Sequence, residues 1–144
     1  MRCDDIMTRN VVSLRPMDRV DAAARRMGEK NVGFAPVCDE DGTPVGAITD
    51  RDMALRVCAH DRRAGRTHVE EVMTRELLTC HATDDIEQAE SLMAGRRKNR
   101  IIVVDEGGHL TGVISLADIV EHDSEQRAIS TMRKVLEREV GTRG

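Results

Sequence analysis

The feature that most constrains the fold is an internal duplication. Shifting the chain by 66 positions lays residues 7–55 on 73–121 without a gap. Met7-Thr8-Arg9 meets Met73-Thr74-Arg75, and identities continue at Asp18/Asp84, Ala23/Ala89, Met27/Met93, Val37/Val103, Gly42/Gly108, Gly46/Gly112, Ile48/Ile114 and Asp52/Asp118. Matches at turn glycines, turn acids and helix-face residues mean that the copies share a backbone path.

Each copy reads as β-α-β-β-α. A short extended piece (Val11–Leu14; Leu77–Cys80) precedes a helix with Asp18 or Asp84 as the expected N-cap. The expected buried stripes are Val20, Ala23, Ala24, Met27 and Ile86, Ala89, Leu92, Met93, at helical spacing. A strand (Phe34–Cys38; Ile101–Val104), an acidic Gly turn and a second strand then form an antiparallel hairpin. Thr67 with Glu70 reads as a capping box before Met73, and Asp4 or Asp5 as the cap of an equivalent turn before Met7. Ile129, Met132, Leu136 and Val140 form an apolar stripe on a charged C-terminal helix, which needs a surface to cover in its own domain or on a second subunit. The division is a first repeat (1–59), a linker (60–66), a second repeat (67–122) and a C-terminal helix and tail (123–144).

Composition removes several function classes. With 144 residues, 40% apolar and 33% charged, the chain suits one globular domain or two small interdependent ones. Phe34 is the only aromatic ring apart from histidine, and the net charge is −4. Base-stacking platforms and a basic footprint are both missing, which argues against nucleic-acid binding. No apolar run is as long as a membrane span and Met1-Arg2-Cys3-Asp4-Asp5 is not a signal peptide, so a cytoplasmic location is expected. Cys3, Cys38, Cys58 and Cys80 are scattered without a C-x-x-C pair and read as free, small hydrophobic residues. The five histidines show no ligand spacing, so no metal is expected. There is no nucleophile–base pair or Walker-type phosphate loop, and the chain is not read as an enzyme.

The motif of interest ends the second hairpin strand of each copy: Gly46-Ala47-Ile48-Thr49-Asp50-Arg51-Asp52 and Gly112-Val113-Ile114-Ser115-Leu116-Ala117-Asp118. A hydroxyl residue followed three positions later by Asp is a capping box. The same arrangement puts a hydroxyl, a carboxylate and backbone N–H groups where a ribose and its phosphate can be held. For a single match, capping alone is the simpler account; the duplicated context favours a ligand role for at least one copy.

Tandem β-α-β-β-α copies with Met-Thr openings, the strand Val32-Gly33-Phe34-Ala35-Pro36-Val37-Cys38-Asp39 and the junction through Thr49-Asp50-Arg51-Asp52 resemble a pair of CBS domains, a Bateman module. The resemblance covers residues 4 to about 122 and is to the stand-alone proteins of bacteria and archaea. It implies an α/β (α+β) fold with two repeats related by pseudo-two-fold symmetry. It also implies a regulatory module whose clefts take AMP, ADP, ATP, S-adenosylmethionine or NAD, and which associates as a homodimer. Carried over by position, Asp52 and Asp118 hold the ribose diol, and Thr49 and Ser115 touch ribose or phosphate. Adenine lies against Phe34-Ala35-Pro36 or Arg100-Ile101-Ile102, with Ser13 and Thr79 at the cleft floor. Arg51, Arg96, Arg97, Lys98 and Arg100 are cations for phosphate, the middle three reading equally as a solvated helix end. The ligand is regulatory, and no cofactor is expected. The alternative is a ligand-free dimerisation or protein-interaction module with vestigial clefts. Copy two departs from the pattern, with Ile102 for Pro36 and Leu116-Ala117 for Asp50-Arg51, so the two sites should differ.

Overall fold

A computed structural model describes residues 1–141, with side chains through Glu137. The helices are α1 (Cys3–Ile6), α2 (Val20–Glu29), α3 (Asp50–Asp52), α4 (Val69–Val72), α5 (Ile86–Arg96), α6 (Leu116–His122) and α7 (Glu125–Gly141). The strands are β1 (Phe34–Cys38), β2 (Pro44–Thr49), β3 (Thr79–His81), β4 (Arg100–Val104) and β5 (Leu110–Ser115). The fold is α+β. The chain folds as two compact units: a first of Val11–Leu77 with Gly108–Leu110, and a second of Met1–Asn10, Leu78–Gly107 and Thr111 onward.

Each unit therefore takes its opening turn from the other copy. Met73-Thr74 belongs to the first unit, where Thr74 bridges Ala47, and Met7-Thr8 to the second, where Thr8 bridges Val113. These turns run so close to the second hairpin strands that no side chain fits. A Cβ on Gly46 would lie 2.5 Å from Met73 Sδ, and one on Gly112 would lie 2.7 Å from the Thr8 carbonyl oxygen. The repeated glycine is thus a packing requirement.

In the first unit β1 and β2 pair antiparallel, Phe34 opposite Thr49. In the second, β3 pairs parallel with β4, Thr79 opposite Ile102, in the order β3-β4-β5. The extended piece of copy one makes only a bridge, Leu14 to Val37. Pro36 explains the shorter ladder: Ile102 N–H donates to Leu78 O at 3.0 Å, whereas its counterpart Pro36 has no proton to donate.

The two cores correspond residue by residue: Val20/Ile86, Ala23/Ala89, Met27/Met93, Val37/Val103, Ile48/Ile114 and Met73/Met7 are all buried. Several sequence expectations need correction. Ala24 and Leu92 are exposed, and the buried fourth member of the α5 stripe is Glu90. Asp18 and Asp84 do not cap helices; their carboxylates accept the N–H groups of Arg15 and His81 and close the preceding turns. Asp85 caps α5 by accepting Glu87 N–H, and α2 starts without a side-chain cap. Before Met73 it is the Glu71 carboxylate that accepts, from His68 N–H at 2.6 Å, rather than a Thr67–Glu70 box, and before Met7 the Asp5 carboxylate accepts Arg2 N–H at 2.7 Å in the same way.

The C-terminal helix packs within the second unit, but not on the expected stripe. Ala128, Thr131 and Val135 face inward, while Ile129 and Leu136 stay exposed and Met132 is half-buried. The small inward residues bring α7 close to α5, where Thr131 Oγ1 donates to Glu90 Oε2 at 2.9 Å. The side chain of Val140 lies outside the described residues. No described helix is long and apolar enough to cross a membrane.

Candidate functional site

The motif residues sit where the hairpin strand becomes a helix. In the first unit Thr49 Oγ1 accepts Asp52 N–H at 3.0 Å, and Asp52 Oδ2 accepts Thr49 N–H at 3.0 Å. In the second, Ser115 Oγ accepts Asp118 N–H at 3.1 Å and Asp118 Oδ2 accepts Ser115 N–H at 2.8 Å. Both boxes are closed and reciprocal. Each fixes its carboxylate at a helix start while leaving one oxygen out of the box.

Among the first unit's expected residues, Phe34 faces Thr49 across the hairpin and Pro36 faces Ala47. Ala35 is fully buried in the core, so it can offer only its backbone. Ser13 adjoins Leu14, whose N–H donates to Pro36 O at 2.9 Å; the Ser13 carbonyl accepts Arg26 Nη1 at 3.0 Å. Arg51 is exposed on the first turn of α3. In the second unit, Thr79 is exposed opposite Ile102, Ile101 and Ile102 are buried, and Arg100 is half-buried at the start of β4. Arg96, Arg97 and Lys98 are all exposed, Arg97 in the left-handed conformation (φ 53°) that ends α5.

Three features escaped the sequence reading. The N–H of Asp50 donates to Gly33 O, and that of its counterpart Leu116 to Asn99 O, both at 3.0 Å, tying the helix start to the residue before the first hairpin strand. The Asp50 carboxylate also accepts Arg51 N–H at 2.9 Å, with its other oxygen over Gly33. An acid thus already occupies an N-terminal donor of α3, whereas in copy two Ala117 carries no carboxylate neighbour of this kind. Its position within the motif was the available signal. Third, α3 runs on into a π-helical turn, Met53–Val57, a local rearrangement often found near functional sites. Arg56 on that turn lies 3.7 Å from Asp52 Oδ1 and donates to the carbonyls of Val72 and Met73 at 3.2 and 3.3 Å. It connects the motif carboxylate to the end of α4, a contact that no local pattern encodes.

A cavity of about 280 Å³ in the first unit is lined by Ser13, Arg15, Cys38, Asp39, Glu40 and their neighbours; of the expected residues it includes Ser13 alone. Among the described residues no group of three or more His, Cys, Asp or Glu side chains is placed to hold a metal ion.

The CBS domain family profile matches residues 3–58 and 69–125. The chain is 36% identical over 132 residues to the CBS domain-containing protein YhcV of Bacillus subtilis, covering 91% of this chain and 92% of that one. Among solved structures it is similar to the CBS domain pair of protein MJ0100 in complex with 5-methylthioadenosine and S-adenosyl-L-methionine (TM-score 0.74, 25% identity, 84% of this chain and 98% of that one). It is also similar to CBSX2 in complex with AMP (TM-score 0.71, 27% identity, 83% and 93%). With both copies matched by the profile and both carrying the closed hydroxyl–aspartate box, the chain belongs to the CBS domain family as a tandem pair.

Proposed function

We propose that this CBS pair is a non-catalytic sensor of adenosine-containing ligands, with one site on each unit. The observation that carries this reading is the duplicated, reciprocal capping box. A cap needs one carboxylate oxygen, and both Asp52 and Asp118 keep a second that can accept hydrogen bonds from a vicinal diol. Support comes from the related pairs of known structure, whose complexes are with AMP and with S-adenosyl-L-methionine and 5-methylthioadenosine. In this reading Asp52 and Asp118 take the ribose, Thr49 and Ser115 position them, and the backbones of Phe34–Pro36 and Arg100–Ile102 receive adenine. Ser13 and Thr79 border the base, and Arg51 and Arg100 are the cations available to phosphate. The ligand's relay to a partner runs through α7 or a homodimer contact.

The test is a thermal-shift panel with AMP, ADP, ATP, S-adenosylmethionine and NAD on the native protein and on Asp52→Ala and Asp118→Ala. A ligand at about a hundred times its dissociation constant adds roughly 2.7 kcal/mol. Each substitution also opens a capping box, so the quantity read is the ligand-induced shift, not the absolute midpoint. A shift abolished by one or both substitutions supports the reading; an equal shift in the double variant refutes it. A second reading, an interaction module acting through its surface, draws on exposed Leu92, Val120, Ile129 and Leu136 on α5, α6 and α7. It predicts a flat ligand panel and a self-association lost in Ile129→Lys/Leu136→Lys by sedimentation.

A further inference from the structure

Two thiols that the sequence scatters meet inside the second unit. Cys3 on α1 and Cys80 on β3 are 77 positions apart, and the Cys80 thiol donates to the Cys3 sulfur at 3.8 Å. They are 0% and 4% exposed. Backbone hydrogen bonds set the approach: Cys3 N–H donates to Asp84 O at 2.8 Å and Asp4 N–H to Ala82 O at 2.9 Å, holding α1 beside the end of β3.

The duplication shows that burial alone does not call for sulfur here. The counterparts of Cys3 and Cys80 in the first unit are Val69 and Leu14, both fully buried in its core. An aliphatic pair fills the same site, so the facing thiols add reactivity to a position whose packing needs only bulk. Of the other two cysteines, Cys38 is buried in the other unit and Cys58 is exposed.

We propose that Cys3 and Cys80 are a modification site: a dithiol closed to an intrachain disulfide by peroxides and reopened by small thiols. Cys3 is the attacking sulfur. The hydrogen bond from Cys80 holds its thiol below the ordinary range against the effect of burial, while that contact and burial both push Cys80 up. The Cys3 thiolate attacks one peroxide oxygen and breaks the O–O bond; the departing hydroxide takes a proton and leaves as water. The Cys80 thiol then attacks the sulfenic sulfur, the S–S bond forms, and the hydroxyl leaves with the Cys80 proton as a second water. Both electrons pass to the peroxide. The oxidant enters through local opening of α1, a single four-residue turn of the kind that opens at low cost. The closed bond would pin this turn to β3 immediately beside Thr79.

The test uses the full chain with Cys58→Ser, which removes the exposed thiol. Folded protein is treated with hydrogen peroxide, blocked, digested without reductant and mapped by mass spectrometry. The expected result is a peptide pair joining Cys3 to Cys80 that is lost on reduction. It is accompanied by an oxidation-dependent shift in thermal midpoint that is absent from Cys3→Val/Cys80→Leu, the variant that copies the aliphatic pair of the first unit. Recovery of both cysteines as free thiols, or as separately over-oxidised acids, with the fold intact would overturn the proposal. So would a cross-link that forms only after denaturation.

Discussion

Glu90→Gln should abolish a pH dependence of stability that the native protein carries between about pH 4.5 and 7. Glu90 is 6% exposed, and although Oε2 accepts the Thr131 hydroxyl, Oε1 has no partner among the described residues. Asp123, between α6 and α7, is half-buried as a residue but its side chain is only 2% exposed; its Oδ1 accepts from Arg127 at 2.8 Å and from Ser124 N–H at 2.7 Å, and its Oδ2 has no partner among the described residues. Burial first, and then the Asp123 carboxylate, push Glu90 from 4.5 up to about 7, with Thr131 pulling the other way and Asp85 adding slightly to the rise. Arg127 also pairs with Glu87, so its guanidinium is committed to the carboxylates flanking Glu90.

The direction follows from proton counting. Between pH 4.5 and 7 the folded chain holds the Glu90 proton and the unfolded chain has released it, so stability falls as pH rises. The contribution is complete below the ordinary carboxyl value of 4.5 and gone above about 7. At about 1.36 kcal/mol per pH unit the ceiling is about 3 kcal/mol, or on the order of 5–10 °C in midpoint for a chain of this size. Asp21 and Glu71, both held low, lose their contributions only below their ordinary values of 3.8 and 4.5, outside this window. Gln at position 90 keeps an oxygen for Thr131 and offers N–H to Asp123 at every pH. Thermal melts by calorimetry or far-UV circular dichroism, since there is no Trp or Tyr to follow, should show a falling midpoint for the native chain and a nearly flat one for Glu90→Gln. The variant should be the more stable of the two at pH 8. Equal slopes would refute the protonated-pair account.

Three further outcomes are expected. Gly112→Ala should cost about 1–3 kcal/mol, and more than Gly46→Ala by denaturant titration. Its Cβ meets the rigid Thr8 carbonyl at 2.7 Å, while at Gly46 the first contact is the flexible Met73 thioether and Thr74 O is 3.0 Å away. Thr49→Ala and Ser115→Ala should each lose about 1 kcal/mol as N-cap removals, measured the same way. Asp50→Asn should raise the first unit's affinity for phosphorylated relative to unphosphorylated adenosines in calorimetric titration, because the carboxylate on Arg51 N–H repels a phosphate; an unchanged ratio would remove Asp50 from the site.

What was legible in the chain was whatever both copies repeat locally. Turn glycines, three of the four expected stripe residues on each of α2 and α5, the hairpin and the hydroxyl–aspartate boxes recur at the same offset and lie where the pattern puts them. The exchange of opening turns was not legible, because an alignment of copies cannot say which copy's Met-Thr packs on which Gly strand. That choice is made by long-range contacts such as Met73 on Gly46. Nor was the polar seam under α7. Periodicity assigned Leu92 and Ile129 to the inside, yet Glu90 and Thr131 are there, because close approach of α7 to α5 selects small and hydrogen-bonding residues over bulk.

The duplication itself explains why that seam is confined to one unit. The counterpart of Asp123 is Val57, buried in the first core, and the counterpart of Glu90 is Ala24, exposed on α2. With no helix packed over it, Ala24 needs no partner, and Val57 closes its core with a methyl surface. In the second unit α7 lies on α5, and the same two backbone positions carry carboxyls that must share a proton to stay inside. Cys3 and Cys80 repeat the pattern against Val69 and Leu14. At these four positions the first unit carries Ala24, Val57, Val69 and Leu14, and the second has placed titratable or oxidisable groups there. The response of Glu90 to pH and that of Cys3 and Cys80 to peroxide should therefore map to the second unit, and restoring the first unit's residues at those positions should remove each response separately.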